Sequence, residues 1–253
     1  KTDGNGIEQW NHIGVDYGGT LYSIKQTTDG GYISTGMEGG STESLILMKT
    51  NSSGSQIWKD SLDNGVGYSV QQTTDGGYVI CGVQYTGDGS DIIVIKTDEY
   101  GIKQWSQIYG DYGAPHSDKE AKSIQQTNDG GYVVCGTVYD INYENFIYLI
   151  KIDGNGTQQW TRMFGDTCYN YGFSAQQTID GGYIICGSSD DNIYLIKTDS
   201  QGNVTSTFNI PINPNRKLEK TVDILGKETK PITNIPFIEI YDDGTVEKRI
   251  VIE

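Results

Sequence analysis

The segment Gln-Thr-x-Asp-Gly-Gly-Tyr occurs four times in 253 residues, with its Asp at Asp29, Asp75, Asp129 and Asp180 and spacings of 46, 54 and 51. A second pattern runs in step with it. Lys-x-Asp-x-x-Gly-x-x-x-Trp, with Asn51 for Asp in one copy, ends at Trp10, Trp58, Trp105 and Trp160. Self-similarity at this period means units of about 50 residues that cannot bury an apolar face alone and must stack on one another. Residues 1–207 are filled by such units.

Each unit reads as four short strands. Ser-x-Gln-Gln-Thr, as at Ser69 to Thr73, alternates as a half-exposed strand does. Asp-Gly-Gly turns the chain, because Gly reaches the positive φ that tight hairpins demand. A β-branched strand such as Tyr78 to Gly82 follows, then a loop of variable length, then a second apolar strand such as Ile92 to Lys96. Asp-x-x-Gly turns again into the Trp strand, Lys103 to Tyr109. The chain has only three Ala and eight Leu, so the best helix formers are nearly absent. Four-stranded antiparallel units at this spacing predict an all-β fold, a four-bladed β-propeller.

The ends of the array set its closure. The fourth unit has Ser206 where the others have Trp, while residues 7 to 14 form a Trp strand with no blade before it. The expected closure has this strand, with Ile7, Trp10 and His12, completing blade four beside Ile193 to Lys197 and removing exposed sheet edges. The competing expectation is donation of the same strand to a neighbouring copy, giving a fibre assembled by strand or tail exchange. A fragment cut from a longer propeller is a further reading, since Lys1 falls inside a motif.

Gln-Gln-Thr-x-Asp-Gly-Gly-Tyr paired with Leu-Ile-Lys-Thr-Asp-x-x-Gly-x-x-x-Trp resembles the repeats of secreted β-propeller proteins of Bacteroidetes-type bacteria. The Asp-x-x-Gly-x-x-x-Trp element is also similar to quinoprotein propeller repeats, but a quinone needs a polar, cation-bearing centre that the sequence does not supply, and no cofactor is expected. Residues 208–253 differ in composition: four of the five Pro, no Cys, no Trp, and seven basic against eight acidic residues, which leaves −14 of the −15 net charge on residues 1–207. Within them Val222 to Glu228, containing Asp-Ile-Leu-Gly, and the hairpin Phe237 to Glu253, ending in Lys-Arg-Ile-Val-Ile-Glu, resemble the C-terminal sorting domain read by the type IX secretion system. The resemblance implies export, contact with secretion machinery through the tail, and a secreted or cell-surface location. The tail alone is too small to be stable.

Candidate chemistry is sparse. Cys81, Cys135 and Cys186 occupy one repeat position, with Thr35 at the fourth. They lie in different blades, beyond the roughly 7 Å Cα separation a disulfide allows, and read as buried thiols between blades. Cys168 has no equivalent. His12 and His116 are the only His, so no metal-ligand spacing and no nucleophile–base motif appears, and no metal site is expected. The recurrent Asp residues, with Asp98, Asp153 and Asp199, read as turn formers rather than as paired catalytic carboxylates. Arg occurs only at 162, 216 and 249, which with the acidic charge excludes nucleic acid. No apolar run approaches the roughly 20 residues that span a bilayer.

Strand direction places the two turn types on one face and the variable loops on the other. The loop face carries Asp16, Tyr17, Asp63, Tyr85, Asp111, Tyr112, Tyr143, Asp166 and Tyr171. Tyr beside Asp suits sugar or protein surfaces, and loops on a rigid scaffold are where binding residues collect. The expectation is a non-enzymatic binding or adhesion module whose partner is a surface glycan, a protein or copies of itself.

Overall fold

The computed structural model describes residues 1–11, 18–39, 43–86, 89–110, 118–139, 144–165, 169–190, 192–210, 217–223, 226–242 and 246–249. Among these there is no helix. Two units are distinct, Lys1–Phe208 and Asn209–Glu253.

The first unit holds four antiparallel sheets of four strands, each in sequential order. Blade 1 is β1 (Thr20–Gln26), β2 (Tyr32–Glu38), β3 (Ser44–Thr50) and β4 (Gln56–Asn64). Blade 2 is β5 (Val66–Gln72), β6 (Tyr78–Thr86), β7 (Gly89–Thr97) and β8 (Lys103–Tyr109). Blade 3 is β9 (Lys119–Gln126), β10 (Tyr132–Tyr139), β11 (Asn145–Ile152) and β12 (Gln158–Phe164). Blade 4 is β13 (Asn170–Gln177), β14 (Tyr183–Ser189), β15 (Asn192–Thr198) and β16 (Val204–Ile210). The core consists of three layers, one between each pair of consecutive blades. Ile33, Leu45 and Leu47 meet Val70, Ile80 and Ile95 in the first, and the same positions recur in the other two.

Two turn devices punctuate each blade. In the Asp-Gly-Gly turn, Thr127 Oγ1 donates to Asp129 at 2.6 Å, the Gly131 N–H donates at 3.0 Å, and Gly130 has φ +82°. In the Asp-x-x-Gly turn, Asp153 accepts the N–H groups of Asn155 and Thr157 at 2.9 and 2.8 Å. Asp3, Asn51, Asp98 and Asp199 repeat this geometry. Gly156 (φ +84°) ends the turn, and a Cβ there would lie 2.9 Å from the Trp105 ring of the preceding blade. The Gly and the Trp of the second pattern are therefore in step because each Trp packs over the turn Gly and the strand Tyr of the next blade: Trp105 over Tyr132 at 6.1 Å, Trp58 over Tyr78 at 6.1 Å and Trp160 over Tyr183 at 5.6 Å.

The closed ring is corrected. Blade 4 owns its fourth strand, β16, so Ile7 and Trp10 do not complete it. The Asp199 turn delivers the chain into β16 without a Trp. Residues 1–10 instead form a hairpin, with Thr2 paired to Glu8, and Trp10 sits on blade 1, 5.9 Å from Tyr32 and against Gly54. That is the same contact the other three Trp make. Apolar layers join blade 1 to 2, 2 to 3 and 3 to 4, and no corresponding layer joins 4 to 1 among the described residues. The sheets form an open array. The buried-thiol expectation holds for Cys81 and Cys135 and fails for Cys186, which is exposed because no blade among the described residues covers that face of blade 4. Cys168 and His116 lie outside the described residues.

The second unit is a three-stranded sheet, β17 (Leu218–Val222), β18 (Phe237–Tyr241) and β19 (Val246–Arg249), with Val222, Phe237 and Tyr241 buried. This is one strand more than the expected hairpin. Asp223 opens a turn after β17, its carboxylate accepting from the Lys227 N–H at 3.0 Å, so Asp223 and Gly226 mark a turn of the same kind as those in the blades, not a strand.

Candidate ligand-binding face

The innermost strands β1, β5, β9 and β13 each skip one residue in their pairing with the next strand: Tyr22, Tyr68, Lys122 and Phe173. A bulge leaves its extra residue unpaired and re-aims the side chain. The cause lies on the facing strand, where Gly36, Gly82, Gly136 and Gly187 let the bulged backbone approach. A Cβ at Gly136 would stand 1.8 Å from the Glu120 carbonyl oxygen. A Gly in the middle of an apolar strand is the sequence mark of such a bulge.

From three of these bulges a continuous line of contacts runs across all four blades, reaching blade 4 at Tyr171. The rings of Tyr22 and Tyr68 meet edge to face at 5.1 Å. Lys122 Nζ lies 3.8 Å above the centre of the Tyr68 ring and pairs with Glu120 at 2.8 Å. Glu120 accepts the Tyr139 hydroxyl at 3.1 Å, and Tyr139 meets Tyr171 at 6.4 Å. Tyr85 lies beside the line, near Glu43 and within electrostatic reach of Tyr68 and Tyr22. Burial, and then the Glu43 hydrogen bond, push the Tyr85 phenol up to about 12. Burial and the Glu120 charge push Tyr68 and Tyr139 up as well. These phenols stay protonated at neutral pH and act as hydrogen-bond donors. Tyr22 in the line, Tyr85 beside it and the bulge residue Phe173 are exposed, so these strands offer apolar ring faces edged by donors and carboxylates.

Toward the turn end, the same inner strands line a cavity of about 460 Å³ with Ser69, Gln71, Ser123, Gln125, Ser174 and Gln176. Most of these amides are committed to the scaffold. Gln71 and Gln125 accept the N–H groups of Gln126 and Gln177 in the next blade at 2.8 and 2.7 Å. Gln72, Gln126 and Gln177 each accept at 2.9 Å from the Asp-Gly-Gly turn of the blade before. The Gln-Gln pair of the repeat is thus an inter-blade clamp.

Of the residues read from the sequence as the loop face, Tyr171 stands in the line and Tyr85 lies beside it. Asp63 does not. It accepts from Gln84 at 3.0 Å and pairs with Lys103 at 3.3 Å, tying blade 1 to blade 2. Asp16, Tyr17, Asp111, Tyr112, Tyr143, Asp166 and His12 lie outside the described residues. Sequence reasoning missed Tyr22, Tyr68, Lys122 and Phe173, although all four precede the Ser of the Gln-Gln-Thr strand and could have been found from that offset and the mid-strand Gly.

No family model matches the chain, and no curated protein matches it. Among solved structures, a streptogramin B lyase superposes with a TM-score of 0.54 at 11% identity, over 91% of this chain and 68% of that one. A Hadza microbial sialidase does so with 0.50 at 11% identity, over 92% of this chain and 58% of that one. The Dos1 propeller gives 0.49 at 9% identity, over 92% of this chain and 68% of that one. At such identities the likeness shows the fold alone, and that fold is a β-propeller. It also corrects the expectation of a non-enzymatic protein. Enzymes, a lyase and a sialidase, share this architecture, so neither the fold nor the lack of a recognised motif excludes catalysis.

Proposed function

We propose that the propeller array is a binding module acting at or outside the cell surface, and that it holds a glycan or protein ligand along the line from Tyr22 to Tyr171. The observation that carries this reading is the contact line itself. Three of the four bulge residues, Tyr22, Tyr68 and Lys122, are linked with Glu120, Tyr139 and Tyr171 in one run of contacts, and none of these side chains is buried. Tyrosine supplies broad contact area with two torsions to fix, and its hydroxyl adds a donor, a combination suited to sugar rings and to protein surfaces. Export is supported by the resemblance of the tail to a type IX sorting domain.

The test is a glycan array and a surface-protein capture screen with the full chain, followed by Tyr22→Ala and Tyr68→Ala. Loss of ten-fold or more in affinity, about 1.4 kcal/mol, is expected for each. A ligand bound equally well by both variants removes this face from consideration.

A further inference from the structure

We propose that the two open ends of the array are halves of one inter-blade junction, and that blade 4 of one copy docks on blade 1 of a second copy, head to tail.

Every layer between blades is built from a leaving set on one blade and a receiving set on the next, and among the described residues one set of each kind is left uncovered, on blade 4 and on blade 1. On the leaving side, Ile193 repeats Leu45, Ile92 and Ile147. Those three are 0% exposed and Ile193 is 49% exposed. Cys186 repeats Thr35, Cys81 and Cys135, all wholly buried, and is itself exposed. On the receiving side, Ile24 repeats Val70, Ile124 and Ala175. Those are 0, 5 and 3% exposed, and Ile24 is 60% exposed. Beside it opens a groove of about 390 Å³ lined by Trp10, Leu21, Ile24, Ile46 and Met48. The exposed surfaces thus carry the positions of an interface that the chain already makes three times, with Ser34 and Met48 where the receiving blades have Ile80 and Ile95, Val134 and Ile150, or Ile185 and Ile196. Their complementarity comes from the repeat itself: each set is the partner of the other, so a second copy of this chain carries what each open face lacks. Joined in this way the contact is heterologous, giving a ring of copies if the rotation closes and a filament if it does not.

The hairpin of residues 1–10 stands at the rim of the receiving face, in the place that the turn between β15 and β16 of an incoming blade would take. It is an imperfect occupant, because Trp10 Nε1 is buried there without a hydrogen-bond partner among the described residues. Docking displaces this hairpin. That separates blade stacking from strand donation, in which the same residues would be indispensable.

The experiment is sedimentation velocity and native mass spectrometry on the full chain at high micromolar concentration. Species of two or more chains are expected, with maleimide labelling of Cys186, read in a Cys168→Ser background, slowed in the assembled fraction. Ile24→Lys and Ile193→Lys each change an exposed side chain and leave the fold intact by circular dichroism. Each variant alone should run as a single chain, and an equimolar mixture should give a dimer and nothing larger, because one sound junction remains between them. A chain without residues 1–10 should still associate. Single-chain mass for the wild type, association unaffected by both Lys variants, or association lost on removing residues 1–10 would each overturn the proposal.

Discussion

At the scale of single residues, the repeat conceals an ion pair that its spacing does not advertise. Lys151 Nζ reaches Asp129 at 2.9 Å with only 4% of the Lys side chain exposed, and Lys49, Lys96 and Lys197 reach Asp29, Asp75 and Asp180 at 2.8 Å. The Thr and Gly contacts of each Asp were legible, because a turn keeps its partners within two residues. The Lys was not, since it arrives from two strands away. The pairs are asymmetric: the Asp is more than half exposed in all four, and the Lys is buried in blades 1 to 3. Removing the carboxylate leaves an uncompensated buried ammonium, whereas removing the ammonium leaves a hydrated carboxylate still held by Thr127 and Gly131. Asp129→Asn should therefore cost about 2–3 kcal/mol in urea unfolding, less than a fully buried pair would, and Lys151→Met should stay within about 1 kcal/mol of wild type. The pH dependence follows from the same contacts. Burial pushes the Asp75 and Asp129 carboxyls up, but their Lys, Thr and Gly hydrogen bonds outweigh it and hold both at about 2. An unfolded Asp titrates near 3.9, so this contribution is fully present above that value and is lost as pH falls from about 4 to 2. Unfolding free energies measured across this window should decline, and less steeply in Lys151→Met.

At the scale of elements, strands and turns were readable from the repeat, and the contacts between blades were not. Alternation and Asp-Gly-Gly place a hairpin locally. The two Gln of Gln-Gln-Thr look like a solvated strand until their amides are seen to clamp neighbouring blades across about 50 residues of sequence. The fixed offset of Gly and Trp was visible, but its cause is a Trp of one blade lying on a turn of the next. Gly156→Ala would force a side chain onto φ +84° and into the Trp105 ring, and Trp105→Ala would empty the same contact. Trp105 is half-buried, so its truncation should cost about 2–3 kcal/mol, short of the 3–5 kcal/mol of a full core position. The double variant should cost less than the sum, because the Ala methyl no longer meets a ring. Additive losses in urea unfolding would show that the Trp–Gly contact carries no coupling. The candidate face shows the same division: Tyr85 and Tyr171 were legible as loop aromatics, while the bulge residues were hidden by a register slip invisible in composition.

At the scale of the whole molecule, the open array makes stability positional. Among the described residues each blade packs on its neighbours in sequence, so the array behaves as a one-dimensional stack in which inner units are held from two sides and end units from one. The sequence pointed to a ring because four Trp matched four blades, but the fourth Trp belongs to the hairpin on blade 1, and β16 closes blade 4 without one. Lys197, 24% exposed where its three counterparts are 4–5%, shows the same missing cover at the chain's far end. Hydrogen exchange on dilute, single-chain protein should therefore be slowest in β6, β7, β10 and β11, whose faces are both covered, and faster in β1 and in the outer strands of blade 4. A ring closed within one chain would instead protect the second and third strands of all four blades alike. Raising the concentration adds a second measurement of the same stack: if copies join end to end, protection in β1 and β15 should rise toward that of the inner blades, while β6 and β10 stay unchanged.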